Sequence, residues 1–153
     1  MKFNNIKSHI FIAVTLLIVS NIYGKDPVYF FNPGIKIGYS FGSNHGFVLG
    51  FETSVGETYW SNHDLRGIVV GYSHCFNLKE NNNVYLEIEY GKIEIGGSAG
   101  LLFNTNKEKF NFYLRAFVGT IGYLSFRYPF GDFPSELSLI GKLPISPNPP
   151  VLD

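Results

Sequence analysis

Ser61, Asn62, His63 and Asp64 stand in one run and hold the hydroxyl, imidazole and carboxylate types of a nucleophilic relay. Such a relay needs contacts of about 2.6–3.2 Å in a fixed order, and consecutive residues of a loop rarely meet that way. A polar turn is expected there. Ser73, His74 and Cys75 form a second run, but along an extended strand neighbouring side chains point to opposite faces, which parts His74 from both. Cys75 has no local basic partner to activate it and reads as inert packing. It is also the only cysteine, so an intramolecular disulfide and a multi-cysteine metal site are excluded. His45 and His63 lack ligand spacing, and no Walker A, Rossmann or metalloprotease motif occurs. No cofactor and no metal are expected, and the chain reads as non-catalytic.

The other chemistry-bearing residues are charged: Lys36, Arg115, Arg127 and Lys142 against Glu52, Glu87, Glu89 and Glu136. Tyr85, Glu87 and Glu89 beside Arg115 have the types of a carboxylate site, but a structural charge network explains them more simply. Over the 153 residues, twelve basic and twelve acidic side chains cancel, so there is no electrostatic footprint for a nucleic acid partner. Aromatic residues outnumber what a disordered chain carries, at 17% against 16% charged.

The elements that must position these charges are legible as period-two alternation, the mark of strands with two different surroundings. Residues 34–41 set Ile35, Ile37, Tyr39 and Phe41 against Gly34, Lys36, Gly38 and Ser40. The pattern recurs over 47–55, 67–76, 84–91, 95–103, 110–119, 123–130 and 136–143, eight segments in all. Polar or glycine-rich turns at 42–46, 77–83, 104–109 and 131–135, with tighter ones at 92–94 and 120–122, suit a meander of hairpins. The longest connection predicted is 56–66, holding Trp60, which fits an interface anchor. An all-β, antiparallel, up-and-down barrel of about eight strands is expected.

Alternation alone fits a soluble sandwich, a soluble ligand-binding barrel or a membrane barrel. The polar face carries Gly or Ser at many positions, Gly50, Gly71, Gly96, Gly100 and Ser125 among them. A solvated face has no reason to accept so much strand glycine, whereas the crowded inside of a small closed barrel does. The eight charges lie on that same face and can pair across a narrow interior; the competing account is ordinary solvated charge. Within the eight segments the opposite face holds no Asp, Glu, Lys or Arg, as lipid contact demands, although a sandwich core can be equally apolar.

In this pattern the chain resembles small eight-stranded outer-membrane barrels of Gram-negative envelopes, over residues 34–143. The resemblance implies membrane lipid as partner, the cell outer membrane as location and a plugged interior, with loops such as 43–45 and 77–83 as candidate contacts for a surface partner. A soluble periplasmic or secreted β-sandwich or barrel, binding a partner or a small apolar ligand, is the alternative. Among such barrels lipid deacylases carry a His-x-Ser pair, absent here; palmitoyl transferases use His, Asp and Ser on outer loops, the types found at 61–64. The chain departs from the pattern by running on to Asp153 rather than ending on an aromatic strand residue, and by placing its longest connection on the side where short turns are usual.

The chain opens with Lys2 and Lys7, an apolar run over 10–19 and a small residue at Gly24, the anatomy of a cleaved signal peptide over 1–24. The run falls well short of the ~20 residues of a membrane-spanning helix. One barrel domain over 25–145 is expected to follow, then a Pro-rich tail over 146–153.

Overall fold

A computed structural model of the protein describes residues 27–42, 45–59, 63–76 and 81–146. Each alternating segment is a strand: β1 (Val28–Phe41), β2 (Gly46–Tyr59), β3 (Asp64–Phe76), β4 (Asn81–Lys92), β5 (Ile95–Asn104), β6 (Lys109–Gly119), β7 (Gly122–Pro129) and β8 (Ser135–Lys142). Each pairs antiparallel with the next, and β8 returns to β1 with Gly34 opposite Lys142 and Phe41 opposite Ser135. The eight strands therefore close into an up-and-down barrel, so that among the described residues every strand has a neighbour on both sides.

The strands sort their side chains by parity. Ile37, Phe51 and Leu114 point outward and are 48, 61 and 50% exposed, whereas Glu52 and Arg115 point inward at 1 and 6%. Glycine on the inner face makes room for large neighbours. A Cβ on Gly71 would collide with the Tyr85 ring, and one on Gly96 with the Phe117 ring. Each glycine sits directly opposite that aromatic in the register.

Three expectations about length need correction. β1 begins six residues earlier than the alternation indicates, and β2 and β3 continue through Gly56–Tyr59 and Asp64–Arg66. The connection expected over 56–66 is therefore mostly paired strand, with Gly56 opposite Gly67 and Tyr59 opposite Asp64. Only 60–63 join the two strands, and the long connection on the short-turn side disappears. Asn81–Asn83, read as turn, likewise begin β4. Past β8, Ile145 exchanges backbone hydrogen bonds with Phe31 at 2.8 and 3.0 Å, and Ser146 Oγ donates to the Tyr29 carbonyl at 2.9 Å. The start of the expected irregular tail is thus laid along β1. The segment 1–24, Trp60 and residues 147–153 lie outside the described residues.

Two ends can be told apart. The proximal end holds Val28, Tyr59 and Lys142 and the connections 60–63, 93–94 and 120–121. The distal end holds Phe41, Gly46 and Phe76 and the connections 42–45, 77–80, 105–108 and 130–134. Inside, Phe30, Leu65, Phe117, Tyr123 and Ile140 form an apolar plug toward the proximal end. From the distal side, Phe133 packs on a second cluster of Val69, Tyr85, Leu102 and Tyr113.

Candidate functional site

Between the plug and Phe133 lies the ionised interior, in which the structure places all eight charges singled out from the sequence. Each is buried. Arg115 on β6 is the hub of one group: Nη1 donates to Glu52 Oε2 at 2.8 Å, and Nη2 donates to Glu89 Oε2 at 3.2 Å and pairs closely with Glu87. Lys142 on β8 joins it, 3.0 Å from Glu52 Oε1 and 3.1 Å from Glu89 Oε2. This group holds three carboxylates and two cations. The second group is Glu136 with Lys36 at 3.0 Å and Arg127 in close contact, two cations on one carboxylate. Each group is out of balance by one charge, with opposite sign, and together they are neutral.

Two tyrosines stand between the groups. Tyr85 Oη donates to Glu52 Oε2 at 2.8 Å, and Tyr113 Oη donates to Glu87 Oε2 at 2.5 Å. Their ring faces meet the cations of the other group: Lys36 Nζ lies 4.3 Å from the Tyr85 centroid, and the Arg127 guanidinium carbon 5.2 and 5.4 Å from Tyr85 and Tyr113. Hydroxyls thus serve the excess carboxylate and rings the excess cation, both favourable in a desolvated interior.

The register explains how tyrosines reach across the barrel. Glu52, Gly71 and Tyr85 are opposite one another on β2, β3 and β4. Glu87, Gly100 and Tyr113 repeat that order on β4, β5 and β6. In both rows the tyrosine hydroxyl donates to the carboxylate beyond the middle strand; a Cβ on Gly71 would meet the Tyr85 ring, and one on Gly100 would meet Glu87. Sequence reasoning found the charges by their face but not these rows, because a row spans three strands and appears only once the register is fixed. Phe133 was also missed; a single aromatic in a short connection carries no period.

The residues considered for catalysis are not brought together. His63 Nδ1 hydrogen-bonds with Glu94 Oε1 at 2.9 Å across two proximal connections, and that bond holds the Glu94 carboxyl below the usual carboxylate range. Asp64 is in β3, opposite Tyr59 and Lys92; Ser61 and Asn62 lie outside the described residues. His74 is on the outer face, its Nδ1 2.7 Å from Asn82 Oδ1 and its ring against Phe76. Cys75 is inside, 3.1 Å from Ser40 Oγ, beside a hollow of about 20 Å³. That is room for about one water. His45 is exposed before β2. No group of three or more metal-ligating side chains occurs among the described residues.

The longer strands also put charge on the outer face at the proximal end, beyond the charge-free segments read from the sequence. Arg66 is 3.9 Å from Glu57, and its guanidinium carbon lies 5.5 and 5.7 Å from the ring centroids of Tyr59 and Tyr90. Tyr59 Oη donates to Glu57 at 3.3 Å. Comparison of the chain with protein-family models, curated proteins and solved structures found no match.

Proposed function

We propose that this chain is an integral outer-membrane barrel, exported by a signal over 1–24, with a structural or surface-interaction role and no catalytic one. The observation that carries the reading is the outer face. Ile35, Ile37, Leu49, Phe51, Ile68, Leu86, Ile88, Leu114, Leu124 and Leu139 are all exposed there. Soluble monomers rarely expose a contiguous apolar patch larger than a few hundred Å², and this belt encircles the barrel. Aromatic pairs edge it distally, Tyr39–Phe41, Phe47–Phe76, Phe103–Phe110 and Tyr128–Phe130, with Tyr29, Tyr59 and Tyr90 at the proximal end. An apolar band between aromatic girdles is what a bilayer asks of a barrel. The filled, charge-neutral lumen argues for a plugged body rather than a pore.

A second reading, a soluble periplasmic or secreted barrel, draws on the lumen itself. Its eight buried ions are paired and closed off from water, and such a core serves in any solvent. It leaves little room for a small apolar ligand inside, so the outer belt would be the surface that binds a partner.

Fractionation of cells making the full chain, followed by a carbonate wash and gels of heated and unheated samples, separates the two. The first reading expects carbonate-resistant recovery with membranes and a band that shifts on boiling. Recovery in the soluble fraction without detergent overturns it and supports the second.

A further inference from the structure

On the outer face of β5 and β6 the belt is interrupted. Gly97, Ala99 and Ala116 form the floor of a groove of about 570 Å³, walled by Tyr90, Leu114, Phe126 and Tyr128. It is a trough open along its outer side rather than an enclosed cavity. Register explains the hollow: Tyr90, Gly97, Ala116 and Phe126 are opposite one another on β4, β5, β6 and β7, so two small residues lie between two rings. Ala99 continues the floor distally, opposite Leu114 and Ile88.

The groove begins beside the outer-face charges. Tyr90 both walls the groove and lies next to Arg66 in the register, and Arg66 is held against its ring with Glu57 on the other side. Arg66 and Glu57, 3.9 Å apart, with Lys92 and Asp64 opposite one another beside them on the same face, put two cations and two carboxylates at the head of an apolar trough and complement a ligand with an anion, a nearby ammonium and a long hydrocarbon tail. A guanidinium suits a phosphate, and a carboxylate with a tyrosine ring suits an ammonium.

We infer that this face binds one zwitterionic glycerophospholipid. Its phosphate lies on Arg66, its ammonium on Glu57 and Tyr59, and one acyl chain fills the groove over Gly97, Ala99 and Ala116. The inference rests on the membrane reading, since it requires the outer face to meet lipid.

Native mass spectrometry of the full chain, folded in detergent and offered phosphatidylethanolamine or phosphatidylglycerol, tests it. The boiling-dependent gel shift checks that each sample is folded. The expected result is one phosphatidylethanolamine retained per barrel in preference to phosphatidylglycerol. Ala116→Phe, which fills the groove, and Arg66→Gln, which removes the phosphate contact, both lose the lipid-bound peak while keeping the gel shift. Equal retention of the two lipids, retention by both variants, or a dimer in place of the lipid-bound barrel overturns the inference and leaves the membrane reading intact. A chain that is soluble without detergent overturns both.

Discussion

Tyr85 reaches Glu52 across Gly71: its hydroxyl donates to the carboxylate at 2.8 Å from two strands away, over a position with no side chain. The contact joins the two halves of the ionised lumen, because the ring of the same tyrosine lies under Lys36. Tyr85→Phe keeps the ring and removes the donor. Since hydrogen bonds to charged groups contribute about 1.5–3 kcal/mol, a loss in that range is expected in urea unfolding of the folded barrel, with Tyr85→Leu costing more.

Gly71→Ala places a methyl group into the Tyr85 ring. Overpacking of this kind costs about 1–3 kcal/mol. On a Tyr85→Leu background the obstruction is gone, and the same alanine is expected to add little further loss. Additive effects of the two substitutions in the same unfolding assay would contradict the row geometry.

Among the described residues Arg115 is the single cation touching Glu52, Glu87 and Glu89 together. Arg115→Met strands buried carboxylate, and breaking one side of a buried pair costs about 3–5 kcal/mol. Adding Glu87→Gln restores overall neutrality of the lumen. A double-mutant cycle is expected to show recovery of part of the loss, a coupling that independent sites do not give.

Phe133 covers the lumen from the distal connection, and the hollow beneath it is lined by Cys75 and Phe133 alike. Cys75 is expected to resist a small polar thiol reagent in the native protein and to react in Phe133→Ala. Equal labelling before and after the substitution would show that Phe133 is not the cover.

Phe51 lies midway along β2 and is 61% exposed on the outer face. In lipid, Phe51→Arg is expected to destabilise the barrel by about 2–4 kcal/mol and to lower its yield in membranes. In a soluble barrel the same change would be neutral or would improve recovery without detergent.

Much of this architecture was legible because the two faces differ so sharply in residue size and charge. Lys36, Gly38 and Ser40 against Ile37, Tyr39 and Phe41 separate the two faces of β1 by size and charge, and the closed barrel decides which of them is inside. The strand ends were not legible. Pro33 breaks the strand signal within β1, and Glu57, Asp64, Arg66 and Lys92 put charge on the outer face at the proximal rim, beyond the charge-free segments. At the proximal rim, pairing continues after the hydrophobic pattern has stopped. The charge cluster was visible as a set of residues but not as two groups of opposite imbalance, since that partition depends on which strands the closed barrel brings across from one another.

The membrane reading requires the outer belt to meet hydrocarbon. A nitroxide label at Ile88→Cys, on a Cys75→Ser background, in barrels reconstituted into phospholipid vesicles tests it most directly through collision with oxygen and with a water-soluble nickel complex. Oxygen is expected to dominate at Ile88, with the reverse at Thr105→Cys in the distal connection. Ready access of the nickel complex to Ile88 in the folded, vesicle-bound protein would show that the belt faces water.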